Sequence, residues 1–422
     1  MEQLIIKGPS KLSGRVKVSG SKNAALPIIA STILFGTTVV LRNVPHIKDV
    51  EALLDILNYL GAKTNFRQNV LEIDTKNIKN IDPDSDLVKK LRASILLIAP
   101  LLVRNRKVKL PHPGGCLIGS RPIDVHLMGL SKMGVKMEDG TIEYVLSVSE
   151  FMPSKISADF SVTGTENLVM AAVLTKGITE ISLAAAEPHV QDLCNFLNKA
   201  GANIKGIGTH NLSIEGVCNL KSIEYEIIPD QIESGTFAIA AAASKGSVNI
   251  KGFIEAHHES LLSKFDRSNI LYKIISKDEI KILPSHNIKP FKVRTEVYPG
   301  FPTDLQAPMA VLATQAAGSS EIYETIFEGR LGYINELSKM GASCIVRDAH
   351  QATVTGPTPL YGTRITSFDL RAGATLIIAA LISQGESRLD QIEVIDRGYE
   401  KIEKKFINLG ADIKRVKLKE VD

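Results

Sequence analysis

The 422-residue sequence contains no tryptophan, and aromatic residues make up only 5% of it. Proteins that bind single-stranded nucleic acid stack bases on aromatic side chains, so this scarcity argues against such a surface. The formal net charge is only +4, and no run of five or more like charges occurs. Because the sequence has no basic tail, we expect no nucleic-acid partner.

Cysteine and long apolar runs are also scarce. The cysteines show neither a CxxC pair nor the Cys/His spacing of a metal site, so we expect free thiols in a reducing cytoplasm and neither a metal nor another cofactor. The longest strongly apolar stretch, residues 95–103, is far shorter than the roughly 20 residues of a membrane span. The first residues lack the basic and apolar regions of a signal peptide. We therefore expect a cytoplasmic protein that does not associate with a membrane.

An internal repeat organises the chain. A helix that ends in a small-residue turn, followed by a strand, recurs at intervals of 67 to 73 residues. Glycine, or asparagine once, occupies the position after each helix, where a left-handed conformation is favoured. The six positions are Gly61, Gly134, Gly201, Asn269, Gly341 and Gly410. We interpret the chain as six structural repeats.

Each repeat contains two helical patterns with strands between them. The first helix is apolar nearly all round and belongs in a core; these helices are predicted at residues 24–35, 93–103, 167–174, 235–243, 306–317 and 372–383. The second helix is amphipathic, and the predicted ranges are 50–60, 125–133, 190–200, 259–266, 333–340 and 399–409. Six such units are too large for one core, so we expect an α/β protein with three repeats in each of two lobes.

Polar residues occur where the buried helices are expected to begin: Lys22, Asn23, Arg92, Glu166, Asn167, Glu233, Ser234, Gln306 and Arg371. The second helices begin near Arg121, Glu187, His257, Arg330 and Arg397. Helix amino termini carry unpaired N–H groups, and arginine grips carboxylates and phosphates. This pattern predicts a phosphorylated or carboxylated ligand, although no Walker A or GxGxxG loop is present.

A loop rich in glycine and proline carries Cys116 and Arg121. Gly114, Gly115 and Gly119 permit unusual backbone angles in this loop. A thiol beside a guanidinium has a lowered pKa and can act as an acid or a nucleophile. The alternative is a surface loop with an incidental cysteine.

Five motifs extend over the whole chain: GSKNAALP at 20–27, PGGCLIGSRPID at 113–124, GFPTDLQ at 300–306, FDLRA at 368–372 and IDRGYE at 395–400. They closely resemble the motifs of the UDP-N-acetylglucosamine 1-carboxyvinyltransferases, which are enolpyruvyl transferases of bacterial peptidoglycan synthesis. The resemblance implies a two-lobed inside-out α/β barrel with three βαβαββ units in each lobe. It also implies one discontinuous lobe of residues 1–21 plus 230–422 and a second lobe, 22–229, which carries the Cys116 loop.

The resemblance also implies a reaction. Phosphoenolpyruvate and UDP-N-acetylglucosamine (UDP-GlcNAc) bind between lobes that close, and the sugar 3-hydroxyl adds to C2 of the enolpyruvyl group while C3 gains a proton. Phosphate then leaves and C3 loses a proton. Fixed cations are needed to hold the substrate anions beside the oxocarbenium-like centre.

Residue roles follow from the motifs that match. The catalytic residues would be Lys22, Asp304 as a candidate general base, and Cys116 as the proton donor to C3 and the target of fosfomycin. Phosphoenolpyruvate would contact Lys22, Asn23, Arg92, Arg121, Asp369, Leu370, Arg371 and Arg397. UDP-GlcNAc would contact Asn23, Arg92, Arg121, Pro122, Ile123, Asp124, Val125, Val162, Thr163, Gly164, Asp304, Ile326, Phe327 and Arg330. The partners would be these two small molecules, and the chain would be a monomer or a weak homo-oligomer.

Three positions depart from the family pattern by lacking a cation: Phe160, Ala186 and Gln231. They leave open the same chemistry on another nucleotide or UDP-sugar acceptor, or a catalytically silent UDP-GlcNAc-binding relative. A 5-enolpyruvylshikimate-3-phosphate synthase shares the fold, but the Cys116 loop and the Asn23 motif argue against it. RNA-terminal-phosphate cyclases share part of the repeat architecture, but the chain has no basic or aromatic surface for RNA.

Overall fold

The computed structural model describes residues 2–79, 82–111, 119, 123–139 and 143–417, with only the backbone of residue 139. Contacts divide these residues into two compact units. The amino-terminal unit is built from described residues within 20–116 and 121–228. The carboxyl-terminal unit is built mainly from described residues within 1–19 and 229–422. Each unit has its own hydrophobic core.

The strands, in chain order, are β1 (Glu2–Gly8), β2 (Ser13–Lys17), β3 (Thr38–Arg42), β4 (Lys63–Arg67), β5 (Val70–Asp74), β6 (Lys107–Pro111), β7 (Lys136–Asp139), β8 (Glu143–Ser147), β9 (Lys155–Ser157), β10 (Ile178–Ser182), β11 (Asn203–Lys205), β12 (Asn211–Glu215), β13 (Glu224–Glu226), β14 (Ser247–Lys251), β15 (Tyr272–Ser276), β16 (Glu279–Ile282), β17 (Lys292–Arg294), β18 (Gly318–Tyr323), β19 (Ser343–Asp348), β20 (Gln351–Gly356), β21 (Arg364–Thr366), β22 (Gly385–Asp390) and β23 (Asp412–Lys417).

The α-helices are α1 (Lys22–Ser31), α2 (Lys48–Tyr59), α3 (Ser85–Lys90), α4 (Ile98–Asn105), α5 (Asp124–Lys132), α6 (Val162–Ala172), α7 (Pro188–Lys199), α8 (Gln231–Ala243), α9 (Glu259–Arg267), α10 (Thr303–Ala313), α11 (Tyr333–Lys339), α12 (Leu370–Ile382) and α13 (Ile402–Asn408). Short 3-10 helices span Thr32–Leu34, Arg92–Leu97, Glu255–His257 and Ile392–Arg397.

The strands form six sheets in the described residues, three in each unit. The sheet orders are β13-β3-β5-β4, β6-β8-β7 and β11-β12-β10-β9 in the amino-terminal unit, and β15-β16-β14-β2, β17-β18-β20-β19 and β21-β22-β1-β23 in the carboxyl-terminal unit. Each four-stranded sheet joins three antiparallel strands to one parallel edge strand. One sheet for each repeat confirms the predicted α/β class with three repeats in each unit, and no closed barrel of strands forms in the described residues.

The first helix of each repeat lies in the core, as predicted. In α8, 12 of the 13 residues are buried, and α8, α10 and α12 pack against one another. In the amino-terminal unit, α6 packs on α4 and on the 3-10 helix that precedes α4. Helices that are apolar on all sides bury every face in this way, while the amphipathic second helices keep one face in solvent.

The predicted left-handed positions are confirmed in all six repeats. Five glycines have φ between 93° and 106°, and Asn269 has φ of 57°. At Gly201 and Gly410 a Cβ atom would meet nothing within 4 Å. The need for glycine there comes from the backbone conformation, because an L-residue with a side chain is strained in it.

Some predicted boundaries are wrong. The buried helix predicted at 93–103 is a 3-10 helix, Arg92–Leu97, followed by α4. The helix predicted from Tyr399 begins at Ile402, because the left-handed Lys401, with φ of 49°, precedes it. Helix α3 was not predicted. No described helix is both long and apolar enough to cross a membrane.

Candidate active site

An ion-pair cluster forms where α10 begins. The carboxylate of Asp304 accepts a hydrogen bond from Nη2 of Arg330 at 2.5 Å through Oδ1. Its Oδ2 accepts one from Nε of Arg371 at 2.9 Å, and Nη2 of Arg371 lies at the same distance. Sequence positions predicted separately for phosphoenolpyruvate and UDP-GlcNAc are thus brought together in the carboxyl-terminal unit.

The cluster is nearly closed to solvent on its cationic side. Arg330 and Arg371 expose 5% and 4% of their side chains, whereas Asp304 exposes 22%. Burial alone would raise the pKa of Asp304, but the Arg371 and Arg330 guanidinium groups outweigh it and hold that pKa well below its usual range. The carboxylate is therefore ionised and, in this arrangement, a weak base.

The capping residue Asp369 fixes the position of Arg371. Its carboxylate accepts hydrogen bonds from the backbone N–H groups of Arg371 and Ala372 at 2.8 and 3.0 Å, and helix α12 begins at the next residue, Leu370. The Arg371 guanidinium lies 5.1 Å from the ring centroid of Tyr399. Three predicted phosphoenolpyruvate contacts therefore lie together at the start of α12: Asp369, Leu370 and Arg371. A fourth predicted contact, Arg397, is half-buried and is the last residue of the 3-10 helix Ile392–Arg397.

Glu324, which is fully buried, organises the predicted sugar side of the site. Its Oε1 accepts hydrogen bonds from the N–H groups of Ile326 and Phe327 at 2.8 and 3.1 Å. Its Oε2 accepts a 2.6 Å hydrogen bond from the hydroxyl of Thr303, which in turn accepts one from Nη1 of Arg330. The buried Glu324 carboxylate therefore links the backbone of Ile326 and Phe327 to the cluster formed by Asp304, Arg330 and Arg371, which we call the Asp304 cluster.

In the amino-terminal unit, Lys22 is the first residue of α1 and Asn23 the second. The Lys22 ammonium group lies 2.7 Å from Oδ2 of Asp49, and the two side chains expose 13% and 6% of their surface. Asp49 lies in the first turn of α2. The ion pair fixes the position of the Lys22 amine. Because both side chains are largely buried, the electrostatic attraction between them is stronger than it would be in water.

Arg92 begins the 3-10 helix that leads into α4. The carbonyl of Ile95 accepts from the N–H of Ile98, as in a 3-10 helix, so the N–H of Ala99 needs another acceptor, which the side chain of Asn167 supplies. Its Oδ1 accepts from the N–H of Ala99 at 3.1 Å, and its Nδ2 donates to the carbonyl of Ile95 at 3.0 Å. A side chain inserted into the hydrogen-bond ladder, next to Pro100, explains why the predicted single helix is split.

The predicted nucleotide contacts lie at the starts of α5 and α6. Ile123 caps α5, Asp124 and Val125 follow it, and Ser161 caps α6 by accepting from the N–H of Gly164. A Cβ at Gly164 would lie 2.8 Å from a methyl carbon of Val125, so glycine permits the close approach of the two helices. The structure thus brings Val125 beside the segment Val162–Thr163–Gly164.

Three predicted site residues, Cys116, Arg121 and Pro122, lie outside the described residues. Their roles stay predictions. The hypothesis that Cys116 is a reactive thiol on a loop beside Arg121 also stays a prediction.

The three departures from the family pattern have definite environments. Phe160 has φ of 57° and packs edge-on against His210 at 5.0 Å between ring centroids. Ala186 is buried, and its carbonyl accepts a hydrogen bond from Gln191. Gln231 begins α8, and its buried Oε1 has no hydrogen-bond partner in the described part of the chain.

Sequence reasoning missed Asp49, Glu324 and His126. Asp49 had a signal, since it lies at the start of a second helix, where the other repeats carry arginine, glutamate or histidine. Glu324 directly follows a strand, and His126 lies on the side of α5 that contacts α6. Neither residue has a sequence pattern that distinguishes it from a surface residue. Asn167 was predicted to lie at a helix start, which is wrong because α6 begins five residues earlier, at Val162, and its role between two helices was not predicted.

Comparison with known proteins first shows that the chain is similar to enolpyruvyl transferases. The sequence model of the family EPSP synthase (3-phosphoshikimate 1-carboxyvinyltransferase) matches residues 6–406. The solved enolpyruvyl transferase NikO from Streptomyces tendae superimposes with a TM-score of 0.88, at 25% identity over 98% of both chains. EPSP synthase from Acinetobacter baumannii shares the fold with a TM-score of 0.77 at 16% identity, covering 99% of this chain and 100% of that one.

Curated relatives narrow the class. A UDP-N-acetylglucosamine 1-carboxyvinyltransferase from Campylobacter hominis is 45% identical, covering 98% of this chain and 99% of its own length. Its namesake from Hydrogenovibrio crunogenus is 43% identical, covering 98% of this chain and 100% of its own length. The chain therefore belongs to the enolpyruvyl (carboxyvinyl) transferase family, in the branch of the UDP-N-acetylglucosamine 1-carboxyvinyltransferases.

Proposed function

We propose that this protein transfers the enolpyruvyl group of phosphoenolpyruvate to the 3-hydroxyl of UDP-GlcNAc and releases phosphate, as the first committed step of peptidoglycan synthesis. The observation that carries the proposal is the Asp304 cluster, in which two buried arginines surround one partly exposed carboxylate. Such a cluster fits a reaction between two anionic substrates. Its residues lie in a chain that resembles these transferases over nearly its full length.

The reaction is an addition followed by an elimination. The sugar O3–H adds across the enol double bond: oxygen bonds to C2, and C3 gains a proton. The C2–O bond to phosphate then breaks as C3 loses a proton, which restores the double bond. Lys22, Asn23, Arg92, Arg121, Asp369, Leu370, Arg371 and Arg397 are proposed to hold phosphoenolpyruvate, and Cys116 to donate the proton to C3.

Asp304 is proposed to accept the proton of the sugar hydroxyl, but its two arginines oppose that role. Their guanidinium groups hold the pKa of Asp304 well below its usual range. Nη1 of Arg371 is buried and has no hydrogen-bond partner among the described residues. We propose that a substrate anion engages Arg371 and weakens its hold on Asp304, whose pKa then rises toward that of an effective base.

The acceptor is proposed to contact Asn23, Arg92, Arg121, Pro122, Ile123, Asp124, Val125, Val162, Thr163, Gly164, Asp304, Ile326, Phe327 and Arg330. The reaction is placed in the cytoplasm, with the two small molecules as partners and neither nucleic acid nor membrane. The chain is proposed to act as a monomer or weak homo-oligomer, without a metal or other cofactor.

An acceptor panel tests the function. Phosphate release from phosphoenolpyruvate is measured with UDP-GlcNAc, other UDP-sugars, UMP and shikimate 3-phosphate. We expect the highest kcat/KM with UDP-GlcNAc. Faster release with another UDP-sugar or with UMP would show an altered acceptor, which the uncharged residues Phe160, Ala186 and Gln231 would explain. Binding of UDP-GlcNAc without any phosphate release would show a silent relative.

A further inference from the structure

His126 lies in α5 and is almost fully buried, at 2% exposure. Its Nε2 lies 3.1 Å from the hydroxyl of Thr163, and its Nδ1 lies 2.9 Å from Nδ2 of Asn167. Both ring nitrogens therefore have hydrogen-bond partners within the protein. The ring therefore connects the interior of α6 to the second residue of that helix, Thr163.

The backbone fixes the direction of these hydrogen bonds. Asn167 accepts from the N–H of Ala99 and donates to the carbonyl of Ile95, so its amide has only one orientation that satisfies both. Its second amide hydrogen then points at Nδ1 of His126, which must be the acceptor. Burial first, and then the charge of Arg92, lower the pKa of His126 to about 4, so the ring is neutral near pH 7. Its hydrogen is therefore on Nε2 and is donated to Thr163.

This direction has a consequence for Thr163. The hydroxyl oxygen accepts from the ring, and the hydroxyl hydrogen remains available for another acceptor. No other hydrogen-bond partner of this hydroxyl lies in the described part of the chain. Thr163 is half-buried at the start of α6, where the first N–H groups and the helix dipole favour an anion.

We propose that His126 is a positioning residue: through Nε2 it turns the Thr163 hydroxyl into a hydrogen-bond donor to a diphosphate oxygen of the acceptor. The inference rests on the proposed function, because it takes the acceptor to be a nucleoside diphosphate sugar. It adds to that function a specific donor and the residue that orients it. Asn167 sets the tautomer of the ring, so the three side chains act in series.

Steady-state kinetics on the full chain test the proposal. Thr163→Val and His126→Leu should raise the KM of UDP-GlcNAc about 10- to 100-fold, the loss expected for one hydrogen bond to a charged phosphate oxygen. The kcat and the KM of phosphoenolpyruvate should change less than about twofold. His126→Gln, whose amide can still donate to Thr163, should restore most of the acceptor KM.

A matched control separates this effect from loss of stability. Thr175→Val removes a buried hydroxyl just beyond the other end of α6, where it donates to the carbonyl of Ala171 at 2.7 Å. It should leave the acceptor KM unchanged. Nitrogen NMR of the His126 ring gives a second readout, and we expect the hydrogen on Nε2.

The outcomes separate the two proposals. If the wild type releases phosphate with UDP-GlcNAc but Thr163→Val keeps the wild-type KM, the positioning role is wrong and the function stands. A hydrogen on Nδ1 overturns it as well. If the wild type does not turn over UDP-GlcNAc, both proposals fall. Should His126→Leu not fold, Thr163→Val and the NMR measurement decide.

Discussion

Asp304 and Arg371 lie 67 positions apart, yet Nε of Arg371 donates a 2.9 Å hydrogen bond to Oδ2 of Asp304. The contact joins the starts of α10 and α12, two core helices of the carboxyl-terminal unit. Because both helices begin at this contact, removing the charge of either residue affects the stability of the core helices as well as the candidate active site.

Removing the carboxylate should destabilise the protein. Asp304→Ala leaves Arg330 and Arg371, each at most 5% exposed, without their counter-ion. We expect a loss of about 3 kcal/mol or more in the free energy of unfolding, measured by urea denaturation. Glu386→Ala is the control, since Glu386 pairs with Arg388 where the side chains are 38% and 58% exposed. It should change stability by less than about 1 kcal/mol, and an equal loss in both variants would contradict the account.

Replacing the charge but keeping the shape tests the proton acceptor. Asp304→Asn retains Oδ1 as an acceptor for Arg330 but cannot take up a proton. Under the proposed mechanism, kcat should fall more than tenfold while the KM values change little, since general base catalysis typically contributes about 10² to 10⁴ in rate. A variant with normal kcat and raised KM would show that Asp304 only binds the acceptor.

Asp49 should matter although it carries no predicted role. Its carboxylate lies 2.7 Å from the Lys22 ammonium, and Asp49→Asn removes the charge that fixes this amine. We expect the KM of phosphoenolpyruvate to rise about tenfold, on the scale of one charge-assisted hydrogen bond. Glu180→Gln is the control, because it pairs with Lys155, which is 87% exposed. If Asp49→Asn behaves like the control, the pair does not position Lys22 for the substrate.

Acid should weaken the fold through buried histidines. Burial lowers the pKa of His258 to about 4, whereas the unfolded chain titrates near its ordinary value of about 6.5. The unfolded state therefore binds more protons in this window, and the stability contributed by neutral His258 is lost as pH falls from about 6.5 to about 4.

The difference between wild type and His258→Gln isolates this contribution. Asp192 acts in the opposite direction, because burial raises its pKa to about 6, but it contributes equally to both proteins. The wild type should lose up to about 1.4 kcal/mol per pH unit more than the variant between about pH 6.5 and 4. Parallel stability curves would show that His258 is not held neutral.

Local rules predicted the repeat and its turns well. The left-handed conformations at Gly61 and Asn269 follow from the preference of a helix end, which involves only a few neighbouring residues. The buried helices followed from continuous apolar patterns for the same reason. Asp304 and Arg371 were predicted because the resemblance and the helix starts mark them individually.

The remaining features depend on contacts between distant parts of the chain. The salt bridge between Asp304 and Arg371 and the pair formed by Lys22 and Asp49 join separate helices, so no local pattern reports them. The split between the 3-10 helix at 92–97 and α4 depends on Asn167, 68 positions after Ala99. Such tertiary hydrogen bonds override local helical preference.

The most direct test of the central claim is a reaction in deuterated water. Phosphoenolpyruvate and UDP-GlcNAc are incubated with the protein, and the product is analysed by mass spectrometry and NMR. Addition to C3 followed by loss of a C3 proton predicts release of phosphate together with deuterium in the vinyl group of an enolpyruvyl ether at the sugar 3-oxygen. A product with an unlabelled vinyl group, or no enolpyruvyl product from UDP-GlcNAc, would contradict the account.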